Sequence, residues 1–347
     1  MKKLYPYRIE TENKQWTELL TMQGIRPEKP LDAVFGIFDG DRLIATASYY
    51  RNIIKCVAID PTAQGGSIFN ELLSGIITEI LKKNFGNIYV YTKPAAKLSF
   101  SAIGFKEIER VDDSLVFMES GKPDFDDYLN QLKKQAVTGK IIGSIVLNAN
   151  PFTKGHRYLV ETARAQCDLL HLFVVSEDAS AFPQRIRKSL VEAGCADLDG
   201  IVIHDTRSYL VSQAIFPSYF LKENTDATKV QARLDARIFK YHIAKALSIT
   251  DRFVGEEPFS PTTESYNRAM EEVFRAEPAP GNPQLHILPR KESDGHPISA
   301  TEVRRLLAEG DIDGASRLVP TTTADYFRTE KFQPILTKLK KEQNFLK

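Results

Sequence analysis

The chain is short of several things. Its 347 residues include only three cysteines, Cys56, Cys167 and Cys195. They are odd in number, widely spaced and without metal-ligand spacing, so neither a disulfide framework nor a cysteine metal site is expected. There is no charge excess: 46 Lys and Arg face 45 Asp and Glu, a formal net charge of +1. That balance provides no whole-chain attraction to polyanions, so nucleic acid is not an expected partner. Long apolar runs are missing too. The purest, LLHLFVV at 169–175, is far below the roughly 18–20 residues of a membrane span. The opening MKKLYPYRIE has two lysines but no apolar run behind them, so it is not expected to be a secretory leader. With 42% apolar and 26% charged residues, the composition is that of a globular chain, and its length suits two domains. A cytoplasmic two-domain protein with reduced thiols is the expectation.

What is present divides into two patterns. In the first third, AVFGIF (33–38) and RLIATASYY (42–50) flank Asp39-Gly40-Asp41, a D-G hairpin signal. KCVAID (55–60), NIYVYT (87–92) and SLVFMES (114–120) add strands, and IFNELLSGIITEILKKN has helical apolar spacing. This reads as an α+β domain over 1–122. A charged helix within 123–140 reads as a linker. From 141 to 347 strands and helices alternate, beginning with the continuous apolar run IIGSIVL at 141–147. Such a run marks a parallel strand buried on both faces. Repeated β-then-α units predict a doubly wound parallel sheet with its ligand at the carboxyl ends of the strands.

Two short segments lie at predicted helix starts. The first is Asn150-Pro151-Phe152-Thr153-Lys154-Gly155-His156. A helix start presents unpaired N–H groups and partial positive charge, Gly155 permits close backbone approach, and Thr153 and His156 offer polar groups to a phosphate. A Thr-capped helix with a surface His accounts for the same residues. The second is Ile298-Ser299-Ala300-Thr301-Glu302-Val303-Arg304. Ser299 and Glu302 alone spell a capping box. A cap needs neither Thr301 nor Arg304, whereas a triphosphate wants hydroxyls and a forked cation there. Arg185 and Arg187, after the second strand of this domain, suit either a phosphate or a solvated helix start.

Together the segments resemble the nucleotidyltransferase superfamily with H/T-x-G-H and I-S-x-T-x-[VI]-R motifs. The resemblance implies ATP as substrate, with Mg²⁺ bound along with it. It implies catalytic roles for His156, Thr153 and Arg304 and binding roles for Gly155, Ser299 and Thr301, with Asn150, Lys154, Arg185 and Arg187 as further candidate binding residues. No protein metal ligand is expected. NANPFTKGHRYLVETA (148–163), VVSEDASAFPQRIR (174–187), FVGEEPFSPTTESYN (253–267) and PRKESDGHPISATEVRRLL (289–307) further resemble the citrate lyase ligase family. So does a first domain similar to GNAT-type acetyltransferases. That family likeness implies acetyl-adenylate formation from ATP and acetate, then acetyl transfer to the prosthetic-group thiol on the acyl carrier subunit of citrate lyase. The GNAT-type pyrophosphate loop is degenerate at Gln64-Gly65-Gly66-Ser67-Ile68-Phe69, so acetyl transfer from coenzyme A is not expected, and the domain is left either to receive a pantetheine-like arm in that groove or to serve a structural role. The alternatives are an adenylyltransferase of the phosphopantetheine type and a non-catalytic ATP-sensing module.

Overall fold

Gly40 adopts φ +57° in the turn between Ala33–Asp39 (β2) and Arg42–Tyr50 (β3), a left-handed conformation that glycine tolerates at no steric cost. The hairpin it closes is antiparallel, as the D-G signal requires. The computed structural model describes residues 1–63, 66–176, 180–210, 216–221, 226–256, 261–276, 282–293 and 296–344.

The chain divides into two compact units, one of Met1–Gln131 with Phe216–Arg237, the other of Leu132–Ile215 with Ile238–Lys347. A single cut near 123–140 does not describe that division. The returning stretch is tied into the first unit at several points. Arg26 donates its N–H to the Tyr219 carbonyl at 2.9 Å, and Ser218 donates its own to Glu28 at 3.0 Å. Phe216 sets its edge on Tyr91, ring centres 5.7 Å apart.

In the first unit, Lys2–Leu4 (β1), β2, β3, Ile53–Ile59 (β4), Asn87–Thr92 (β5), Lys106–Val111 (β6) and Leu115–Gly121 (β7) form one sheet in the order β1-β2-β3-β4-β5-β7-β6. Glu10–Met22 (α1), Gly66–Leu81 (α2), Lys97–Ala102 (α3) and Phe125–Lys133 (α4) complete its elements. β1, α1 and β6 are not signalled by the patterns above. α2 buries Leu72, Leu73, Ile76 and Ile80 against Phe35, Ala47, Val90 and Val116 of the sheet, the i, i+4, i+8 stripe of a core-facing helix. Every strand pairing is antiparallel except β4 with β5, and those two pair only at Ile53–Tyr89 and Ile54–Val90. Beyond that rung lies a cavity of about 860 Å³, whose lining includes Val57, Ala58, Ile59, Tyr91 and Phe100.

The second unit is built on five parallel strands, Ile142–Leu147 (β8), Leu169–Val174 (β9), Ile201–Asp205 (β10), Asp251–Gly255 (β11) and Gln284–Leu288 (β12), in the order β10-β9-β8-β11-β12. Its helices are Lys154–Arg164 (α5), Gln184–Gly194 (α6), Ala244–Leu247 (α8), Pro261–Arg275 (α9), Ala300–Glu309 (α10), Ile312–Arg317 (α11), Thr321–Phe327 (α12) and Gln333–Asn344 (α13), while Ala227–Ile238 (α7) belongs up to Arg237 to the first unit. A π-turn, Phe239–Ile243, continues α7 into α8, and a two-rung hairpin of Glu292–Ser293 (β13) and His296–Pro297 (β14) precedes α10. The expected α/β doubly wound sheet is therefore what forms. Alternate β9 residues Leu170, Leu172 and Val174 join Phe152, Val160, Leu190, Val303 and Phe327 in one core. Their opposite neighbours His171 and Phe173 meet His204 and Phe239. That two-sided burial is why β8 and β9 read as unbroken apolar runs.

Candidate active site

The strand order reverses at β8: the chain moves from β8 to β9 on one side, and β11 lies on the other. Such a switch point leaves a crevice at the carboxyl ends of the strands, where ligands of open α/β sheets bind. The segment after β8 and the opening of α5 lie there.

The segment is held from beneath. Arg187 is 0% exposed. Its Nη1 donates to the carbonyl and Oδ1 of Asn148 at 2.7 and 3.1 Å, and its Nε donates to the Phe182 carbonyl at 3.0 Å. Asn150 Oδ1 accepts from the Phe182 N–H at 3.0 Å. Arg187, expected at the phosphates, therefore has its guanidinium committed to the framework. Arg185, two residues earlier on α6, is exposed, and its charge acts on Tyr326 of α12.

Thr153 is the N-cap of α5. Its Oγ1 accepts from the His156 N–H at 3.2 Å, and its own N–H donates to His156 Nδ1 at 3.0 Å. The threonine and histidine thus satisfy each other in a capping box, with imidazole in the place usually held by Glu or Gln. The consequence is chemical. Nδ1 must carry its lone pair to accept that N–H, so in the neutral ring the proton sits on Nε2. Burial, with help from the charge of Arg290, pushes the His156 pKa down to about 4. At neutral pH, His156 is therefore an uncharged ring with one N–H donor at Nε2. Thr153, only 1% exposed, turns its hydroxyl 2.9 Å from the same Nδ1. Its place is behind the imidazole, orienting it, and not in front of a phosphate.

Lys154 also faces away from the crevice. Its Nζ donates to the Arg317 carbonyl at 2.7 Å and its N–H to the Leu318 carbonyl at 3.0 Å. With the Lys154 and His156 N–H groups taken, Gly155 contributes the remaining open N–H of the α5 first turn.

The second segment comes to the first. Ser299 caps α10, its hydroxyl accepting from the Glu302 N–H at 3.1 Å. Only half of the expected capping box forms, because the Glu302 carboxylate turns to Arg305 at 2.9 and 2.7 Å. Arg304 Nη1 donates to the Asn150 carbonyl at 2.6 Å, across 154 positions of sequence, and its Nη2 donates to Thr301 Oγ1 at 3.1 Å. A Cβ added at Gly155 would stand 3.0 Å from the Ile298 carbonyl, so glycine is what lets the two openings approach. Asn150, Gly155, His156, Ser299, Thr301 and Arg304 are thereby brought into one neighbourhood, while Lys154 and Arg187 bond elsewhere and Arg185 is exposed on α6. Glu256, just past β11, gives its N–H to the Leu288 carbonyl at 2.8 Å.

Sequence patterns missed two things: that His156 closes a cap, since imidazole is not a standard capping-box partner, and that Arg290 acts on the same ring. The Pro-Arg-Lys punctuation at the end of β12 was the available signal for the second.

The sheet, its switch point and the paired helix openings define a Rossmann-like α/β protein. Residues 142–327 match the model of the citrate lyase ligase C-terminal domain. The chain is 40% identical over 288 residues to the [citrate [pro-3S]-lyase] ligase of Klebsiella pneumoniae, covering 82% of this chain and 83% of that one. It is 36% identical over 323 residues to the enzyme of the same name from Escherichia coli K12, covering 92% of each. This chain belongs to the citrate lyase ligase family. Among solved structures, a bifunctional NMN adenylyltransferase/ADP ribose pyrophosphatase from Francisella tularensis aligns with a TM-score of 0.36 at 18% identity, covering 59% of this chain and 53% of that one.

Proposed function

We propose that this chain is an AMP-forming acid–thiol ligase that activates citrate lyase. In the first step an acetate oxygen attacks the α-phosphorus of ATP. The bond to the bridging oxygen breaks, and pyrophosphate leaves with the electron pair. In the second, the prosthetic-group thiolate on the acyl carrier subunit attacks the acetyl carbonyl of the adenylate and AMP departs. The observation that carries this is the junction of the two helix openings through Arg304 and Asn150, in a chain whose relatives are named as citrate lyase ligases. Those names favour the ligase over an adenylyltransferase that makes a dinucleotide, or a module that only senses ATP.

No covalent enzyme nucleophile is needed, so positioning and charge stabilisation are the protein's tasks. His156 Nε2–H donates to the α-phosphoryl oxygen, where charge builds. Arg304 and Thr301 hold the leaving phosphates, and Gly155 lends its N–H. Mg²⁺ accompanies the triphosphate and neutralises part of its charge. Such an ion would be held mainly by phosphates and water. The reaction is assigned to the cytoplasm, in keeping with three unpaired, buried cysteines.

The cavity where β4 and β5 part suits a long, narrow arm, and we assign it to the carrier's pantetheine-like group. Ala58→Trp should raise KM for the carrier and leave that for acetate unchanged; an unaltered carrier KM removes this assignment. The main test is direct. The protein is incubated with ATP, Mg²⁺, acetate and deacetylated citrate lyase, and the carrier subunit is weighed by mass spectrometry. The carrier should gain one acetyl group, with AMP and pyrophosphate formed. Pyrophosphate release that ignores acetate would sink the reading.

A further inference from the structure

His156 is held by more than its cap, and the end of α6 supplies the rest. The imidazole lies against the ring of Phe152, the two planes 13° from parallel and the centres 5.9 Å apart. Phe152 is fully buried. Behind it stands Gly194, the last residue of α6. A Cβ added at Gly194 would fall 2.5 and 2.7 Å from two carbons of the Phe152 ring. The backbone beyond His156 is tied to the same place: Arg157 Nη1 donates to the Gly194 carbonyl at 2.5 Å, and its two Nη groups fork onto Asp197 at 2.6 and 2.8 Å.

Gly194 is buried and helical, and helix propensity alone would favour alanine there. What excludes the methyl is Phe152. A rigid ring in a close-packed core cannot step aside without moving what it touches, and it touches His156. From these contacts we propose that Gly194 is a positioning residue for adenylation: by leaving room for Phe152 it sets the plane of the His156 ring, and so the aim of Nε2–H. A tilted donor loses most where charge develops in the transition state and least in the bound substrate. The proposal rests on the reading of His156 as the donor to the α-phosphate.

The test uses the full-length protein and the variants Gly194→Ala, Phe152→Leu, their combination, His156→Ala and Gly143→Ala. Gly143 lies in β8 at the end away from the crevice. A Cβ there would stand 2.8 Å from Cys167 Sγ and 3.0 Å from the Leu170 and Phe253 side chains, so this variant overpacks the same unit without pressing on Phe152. Melting is followed by calorimetry, acetate-dependent ATP–pyrophosphate exchange by its kcat and KM, and the His156 ring by NMR. Gly194→Ala should lower kcat by about tenfold or more, since small misplacements of a reacting group are costly, with little change in KM for ATP and with the His156 resonances displaced. Gly143→Ala should melt lower but keep kcat. In the Phe152→Leu background, Gly194→Ala should cost no further activity, because the ring it pressed on is gone. If kcat falls in step with melting temperature in both glycine variants, or if the loss from Gly194→Ala is the same with and without Phe152, Gly194 serves packing alone and the proposal is wrong. If Gly194→Ala exchanges like wild type while His156→Ala does not, the proposal is wrong and the site stands. If His156→Ala exchanges like wild type, the reading of His156 falls and takes the proposal with it. Should Gly194→Ala not melt cooperatively, Phe152→Leu alone decides: its kcat should fall with the His156 resonances displaced, and a wild-type kcat overturns the proposal.

Discussion

The Arg304 guanidinium closes on the Asn150 carbonyl at 2.6 Å, so one side chain of α10 fixes the turn that launches α5. The same arginine is proposed to hold phosphate, and its substitution should then have two effects. Arg304→Ala is expected to lower acetate-dependent ATP–pyrophosphate exchange by roughly 10²-fold or more, from lost charge stabilisation together with a loosened turn. Arg304→Lys should recover little, because an ammonium cannot reach the Asn150 carbonyl and Thr301 Oγ1 as a fork does. Exchange within a few-fold of wild type in Arg304→Lys would contradict the double role.

His156 gives a prediction about pH. Its pKa is lowered to about 4, first by burial and then by Arg290. The neutral Nε2–H donor therefore persists from pH 8 down to well below the ordinary histidine value. The profile of exchange should have no acid limb from this residue near 6.5, only one approaching 4. His156→Ala should cost about 3–4 kcal/mol of barrier stabilisation, roughly 10²–10³ in rate, with an unchanged circular dichroism spectrum. A histidine limb near 6.5 that vanishes in His156→Ala would overturn the assigned ring state.

Gly155→Ala tests the approach of the two helix openings. The new methyl would meet backbone, the Ile298 carbonyl at 3.0 Å, and backbone yields less than a flexible side chain. Overpacking of this kind costs about 1–3 kcal/mol. Thermal melting should show a small loss of stability, and ATP affinity should fall by about tenfold, as separated helix starts lose shared phosphate contacts. A variant that melts lower yet binds ATP normally would mean the contact serves stability alone.

The two arginines of α6 should separate cleanly. Arg187→Ala removes the donor from the part-buried Asn148 carbonyl and the buried Phe182 carbonyl, at a cost of about 3 kcal/mol or more. The melting temperature should drop by several degrees, and activity should fall with it. Arg185→Ala, at an exposed position, should change stability by less than about 0.5 kcal/mol. Differential scanning calorimetry of the pair decides this.

Buried imidazoles elsewhere set the acid stability. His171 Nδ1 and His204 Nε2 lie 2.8 Å apart within the second unit. Burial lowers their pKa values to about 4 and about 3, the neighbouring His171 contributing at His204. The unfolded chain takes up protons near 6.5 while the folded one does not, so stability is intact above that pH. Below it each ring removes about 1.4 kcal/mol per pH unit until its folded value is reached. Urea midpoints should fall from pH 6.5 toward pH 4, and more shallowly in His204→Phe than in wild type.

Much of this was legible in residue patterns, for reasons that can be named. IIGSIVL announced β8 because both faces of that strand are covered, and Asp39-Gly40-Asp41 announced its hairpin because only certain residues take the required turn. T-x-G-H and I-S-x-T-x-V-R marked the two helix starts, since capping chemistry is local. What escaped depends on contacts distant in sequence. Nothing local in Arg187 tells that its guanidinium lies under Asn148, or in Lys154 that its ammonium turns to Arg317. The Phe216–Arg237 stretch joins the first unit by contacts with Arg26, Glu28 and Tyr91, which no periodicity in that stretch announces.

The double hold of Arg317 and Leu318 on Lys154 ties the opening of α5 to the later helices of the chain. The elbow between α11 and α12 works as a keystone: shear it, and the first turn of α5 slackens although no phosphate contact has been edited. Lesions after residue 310 should thus masquerade as active-site defects, and a second-site suppressor that tightens this elbow could revive them.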